Sequence, residues 1–256
     1  MKTFSEYRRS SSNRHINEST ATQYTLFPKD KKELQQMIKE EIEKQGNNAD
    51  LNHIDVSRIT DFSELFKSSE FEGDISKWDV SNAEDMSEMF ANSTFIGDIS
   101  DWDVSNVENM SYMFIGCTMF DQDLSGWDVS NVKDMSCMFA RTAFNSDIST
   151  WDVRNVTDMS LMFYGSAFNG NIKRWNTKNV ENMSYMFNGC ESFTQDISRW
   201  DVSNVTNMDF MFSRCLSFKQ DISRWDVSNV TSMKWVFSEC PCPKEYQPKF
   251  KYIDII

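Results

Sequence analysis

The chain has 256 residues, a formal net charge of −13 at pH 7 and 39% hydrophobic residues, with 20 Phe, 16 Met and 8 Trp. This is enough apolar material for a sizeable core, and it is not the composition of a disordered protein. The acidic balance excludes binding that rests on clustered Lys and Arg against phosphates, so no nucleic-acid partner is expected, and a basic protein surface suits the chain better than an acidic or neutral one. No apolar run approaches membrane-spanning length, so no membrane span is expected.

In chain order, Met1 to Arg9 carries charge without a following apolar stretch, which reads as no signal peptide and a cytoplasmic or virion-associated location. Residues 1–25 are rich in Ser, Thr and Asn and lack periodicity, so 1–28 is expected to form a flexible N-terminal tail. Residues 29–50 are expected to form a capping helix. Leu34, Met37, Ile38 and Ile42 share one helical face between Pro28 and Gly46.

Residues 51–240 repeat. Trp recurs at 78, 102, 127, 151, 175, 200 and 225, in steps of 24 or 25, and stepping back from Trp78 reaches Ile54-Asp55-Val56-Ser57, a degenerate first unit, for eight in all. Within the unit Phe95–Phe114, Ile99, Trp102 and Val104 have the L-x-x-L-x-L spacing that predicts a strand over about 99–104. Met110, Met113 and Phe114 fall at i, i+3 and i+4, which predicts a short helix, with Ser105 or Asn106 as its cap. The expected fold class is therefore an α/β solenoid, a leucine-rich-repeat-like stack of eight strand-turn-short-helix coils with a parallel sheet of roughly 4.8 Å spacing. Pro241, Pro243 and Pro248 break the pattern, and 241–256 is expected to be a C-terminal cap in which Phe250, Tyr252, Ile253, Ile255 and Ile256 cover the last coil.

The run Trp-Asp-Val-Ser-Asn-Val-x-x-Met-Ser-x-Met-Phe, present with small changes in 78–90, 102–114, 127–139 and 200–212, resembles the BspA-like leucine-rich-repeat surface-protein family over roughly residues 29–240. The resemblance implies a solenoid of the kind found on bacterial surfaces, in mycoplasma lipoproteins and in some phage-encoded proteins. It also implies adhesion or protein binding without enzymatic activity. The leader Met1-Lys2-Thr3-Phe4-Ser5-Glu6-Tyr7 resembles the beginnings of some tailed-phage proteins, so the alternative is a virion-associated or structural component attached through its N-terminal tail.

The candidate binding residues lie in columns. Asp79, Asp103, Asp128, Asp152, Asp201 and Asp226 follow the Trp of each unit, with Asp55 before them and Asn176 interrupting. If they project outward, the row either attracts a cation or a basic partner, or each Asp bonds the turn backbone two residues on while Lys77, Arg174, Arg199 and Arg224 neutralise it. A second row, Asp74, Asp98, Asp123, Asp147, Asp196 and Asp221, has Asn171 in the same unit as Asn176. The position before each Trp varies through Lys77, Asp101, Gly126, Thr150, Arg174, Arg199 and Arg224, which makes it the natural recognition row for a protein partner. Asn82, Asn106, Asn131, Asn155, Asn179, Asn204 and Asn229 are expected to be buried amides that satisfy neighbouring turns. Cys117, Cys190, Cys215 and Cys240 share their position with Ser69, Ser93, Thr142 and Ser166, so a small residue is wanted and neither metal nor disulfide is indicated. No nucleotide-binding, nucleophile-elbow or zinc-protease motif occurs, and only His15 and His53 could activate a nucleophile, so neither enzyme activity nor a cofactor is expected.

Overall fold

The computed structural model describes residues 24–251. Most of the proposed tail (1–23) and the terminal Tyr252, Ile253, Ile255 and Ile256 lie outside the described residues.

Helix α1 spans Lys31–Gln45. Asp30 caps it by accepting the Glu33 N–H at 2.9 Å, and Gly46 ends it at φ 84° with its N–H on the Ile42 carbonyl at 2.8 Å. Leu34 and Ile38 are buried against the first coil, and Lys31 Nζ reaches Asp61 Oδ1 at 2.9 Å and the Ser63 hydroxyl. Before the helix, Leu26 forms a parallel bridge with Ile54, so backbone pairing begins ahead of residue 29.

The expected α/β solenoid with a parallel sheet does not form. Besides α1, the described residues hold one 3-10 helix, Lys244–Tyr246, and their extended pairing consists of isolated parallel bridges with no sheet; most of the chain is turns and irregular backbone. The predicted short helix is replaced because its N–H groups alternate in direction. Those of Met110, Tyr112, Phe114 and Gly116 donate to Asp134, Ser136, Met138 and Ala140 in the next coil at 2.7–3.0 Å. Those of Met113, Ile115 and Cys117 close four-residue turns onto Met110, Tyr112 and Phe114 at 3.0–3.3 Å. The carbonyls of Asn109, Ser111, Met113 and Ile115 accept from the preceding coil. Nearly every backbone group is thus satisfied without an i to i+4 bond. Tyr112 (φ 59°) and Gly116 (φ 71°) take left-handed conformations, as the third residue of a type II turn requires, and a right-handed helix cannot pass through them.

The strand predicted over 99–104 fails for a related reason. Trp102 N–H turns back to the Ile99 carbonyl at 3.2 Å, and the same carbonyl receives the Trp127 indole Nε1–H at 3.1 Å, so a side chain occupies the place of a ladder bond. This recurs from Trp78 to Trp225. A line of isolated bridges, each one residue wide, joins successive coils through Asp61, Asp85, Asn109, Asp134, Asp158, Asn182, Asn207 and Ser232, and a further bridge joins Asp50 to Asp74.

The core lies between these turns. Trp, Phe, Met and Val columns run the length of the repeats, most of them less than 5% exposed. Phe90, Phe114 and Phe139 stack at centroid separations of 5.5 and 5.8 Å. The chain after Pro241 and Pro243 re-enters the register. The Tyr246 carbonyl accepts Ile222 N–H at 2.9 Å as the Asp74 carbonyl accepts Leu51 N–H, and Phe250, partly buried on the core, lies 25 residues after Trp225 as Trp225 lies after Trp200.

Candidate functional site

Each outward Asp is held by its own coil. Asp79 Oδ1 accepts the Ser81 N–H at 3.2 Å and its hydroxyl at 2.6 Å, and Asp201 accepts both from Ser203 at 3.0 and 2.6 Å. Asp103, Asp128 and Asp226 accept the N–H two residues on at 3.1, 3.1 and 3.0 Å, and Asp152 accepts from Arg154 N–H and Nε. These are Asx turns, in which a short carboxylate replaces a backbone acceptor and fixes the bend. The second row, from Asp74 to Asp221, does the same. A third set was not singled out from sequence: Asp61, Asp85, Asn109, Asp134, Asp158, Asn182 and Asn207 bind the N–H two residues on at the position where coils bridge. Its signal was the Asp or Asn standing two residues before each Met-Ser serine.

At Asp201, Asp226 and Asp196 these bonds favour the ionised carboxylate. The Ser203 hydroxyl and N–H hold the Asp201 carboxyl below the usual carboxylate range, against the opposing charge of Asp226. Ser228 does the same for Asp226, with help from Lys251. Lys173 Nζ, 2.6 Å from Asp196 Oδ2, and the Ser198 donors lower Asp196 to about 2.

The asparagine column lies on the surface instead of in the interior. Asn106 Nδ2 donates to the Ser81 carbonyl at 2.7 Å and Asn131 Nδ2 to that of Ser105 at 2.7 Å, so each exposed amide ties its coil to the one before. The cysteines are free, and Cys117, Cys190 and Cys215 point their thiols at the carbonyls of Phe90, Phe163 and Phe187 at 2.8–2.9 Å. A small donor is what Ser, Thr and Cys have in common there.

The Asp row and the arginine row run side by side without joining. Arg174, Arg199 and Arg224 are exposed, and none has an ion-pair partner among the described residues; of the Asp79 row, Asp152 alone is paired there, with Arg154 Nε at 2.8 Å. Arg174 and Arg199 line an open cleft of about 750 Å³ with Thr150, Asn171, Lys173 and Trp175. Asn171 and Asn176 stand here where most other coils carry Asp. Sequence spacing did not disclose the cleft itself. It also passed over an outward row at the left-handed turn position, Tyr112, Leu161, Tyr185, Phe210 and Trp235, in which Tyr185 and Phe210 stack at 4.7 Å and Trp235 is 67% exposed.

A family model described as "Mycoplasma protein of unknown function, DUF285" matches residues 32–146 and again 137–249. No curated protein and no solved structure matches the chain.

Proposed function

This chain belongs to the DUF285 family of mycoplasma proteins of unknown function, and from that premise we propose that it is a non-enzymatic interaction protein that binds a protein partner along the exposed row beside its Trp column. The buried residues of successive coils are nearly interchangeable, and so are the Asp residues that brace their turns. The position before each Trp is not. A scaffold that repeats its core and varies one outward position supplies a rigid array for recognition.

The observation that carries the reading is the arginine row. Arg174, Arg199 and Arg224 occupy consecutive coils, are unpaired among the described residues, and begin where the carboxylates of the two Asp rows give way to Asn171 and Asn176. The resemblance to BspA-like proteins supports an adhesion-type role for such a surface. The test is capture from a lysate of the source organism by the full chain and by an Arg199→Glu, Arg224→Glu double variant. Loss of the captured protein with the variant is the expected result, and unchanged capture contradicts the assignment.

A further inference from the structure

We infer that the arginine row and its cleft bind an extended acidic peptide whose carboxylates fall at alternate residues. This deepens the proposed function and rests on it. The Trp rings that follow these arginines in sequence repeat at 6.3 Å (Trp175–Trp200) and 6.5 Å (Trp200–Trp225), nearly parallel. An extended chain advances about 3.3–3.4 Å per residue, so its alternate side chains recur at about 6.7 Å. With the arginines on the same repeat as the Trp residues they precede, a peptide lying along the stack meets Arg174, Arg199 and Arg224 with every second residue, and the intervening side chains face away.

The local charge suits that ligand although the whole chain carries −13. Arg174, Arg199 and Lys173 all line the cleft. Asp196 is already paired with Lys173 at 2.6 Å. A guanidinium presents a planar fork that matches a carboxylate, and three of them in line favour a ladder of carboxylates over a single anion. The flanking Asp201 and Asp226 remain ionised on their Ser donors and stand beside the same row. They repel a polyanion of continuous charge, such as single-stranded nucleic acid, more than a peptide that can place its acids over the arginines and neutral residues elsewhere.

The experiment is fluorescence anisotropy with the full chain and three labelled probes: a peptide alternating Glu and Ser, a peptide of the same composition with its Glu contiguous, and an oligothymidylate. The alternating peptide is expected to bind at least about tenfold more tightly than the other two, with affinity falling as salt rises. Arg199→Glu, at an exposed and unpaired position, is expected to weaken it by a further tenfold or more, on the scale seen for reversed charge pairs, with an unchanged circular dichroism spectrum. Equal affinity for the contiguous peptide, equal affinity for the oligonucleotide, or indifference to Arg199→Glu overturns the inference. If partner capture depends on the arginines while no acidic peptide binds, this inference falls and the proposed function stands. If capture is indifferent to the arginines, both fall.

Discussion

The indole Nε1–H of Trp127 donates to the carbonyl oxygen of Ile99 at 3.1 Å, one coil earlier in the chain. That carbonyl also closes the turn from Trp102, so one buried oxygen closes a turn in its own coil and ties that coil to the next. Trp127→Phe keeps most of the apolar volume but removes the donor, which should cost about 1–3 kcal/mol. Trp127→Ala adds a cavity and should cost about 3–5 kcal/mol. Urea titration of both variants measures the difference; a Trp127→Phe variant as stable as the parent would mean that the hydrogen bond contributes nothing.

The left-handed turn positions store strain that glycine relieves. Ser68 sits at φ 56° and is exposed, whereas the equivalent residues Gly116, Gly165 and Gly189 are already glycine. Ser68→Gly should stabilise the fold by roughly 0.5–1 kcal/mol, the left-handed penalty of an L residue less the entropy cost of glycine. Gly165→Ala should destabilise it by about 1 kcal/mol, even though its new Cβ would meet nothing nearer than Arg141 Cγ at 3.7 Å. Thermal denaturation of the pair checks both signs.

Acid should loosen the stack. The carboxyls of Asp98, Asp123, Asp147, Asp201, Asp221 and Asp226 are held low, chiefly by their Ser donors, and Lys173 with Ser198 takes Asp196 to about 2. A carboxyl whose folded pKa lies below its unfolded value of about 3.9 contributes stability in full above that value and loses it as pH falls through the folded pKa. The melting temperature should therefore drop as pH is lowered from about 4 towards about 2. A flat profile over that window would show that the Asx turns do not depend on ionised Asp.

How much of this was legible depends on the residue. The Trp spacing discloses the period, and Ile99, Trp102, Val104, Met110, Met113 and Phe114 are all buried, so the inward-facing residues could be read. The backbone state could not be read, because an i, i+3, i+4 apolar pattern arises equally from a helical face and from consecutive turns. Tyr112, at φ 59°, gives no sign in its residue type of the left-handed turn that decides between them. The carboxylate rows and the bond from each Asp to the N–H two residues on were visible, but Lys77, Arg174, Arg199 and Arg224 do not pair with the row as the spacing suggested. The cleft at Arg174 depends on how neighbouring coils sit, which spacing along one chain does not contain.

Thiol chemistry reports on the core. Burial pushes the Cys190 thiol up to about 12, and Cys117 and Cys215 are raised for the same reason. Cys240 is only partly buried. Maleimide at neutral pH should modify Cys240 first, and Cys190 only at the rate at which the chain unfolds. Rapid labelling of Cys190 in the folded protein would contradict the closed packing of that column.

The most direct test of the recognition row is arginine footprinting of the full chain with phenylglyoxal, read by mass spectrometry with and without the captured partner. Arg174, Arg199 and Arg224 should be protected by the partner while Arg58 and Arg141, exposed elsewhere on the surface, continue to react. Undiminished labelling of those three in the complex would place the partner on another face and contradict the account.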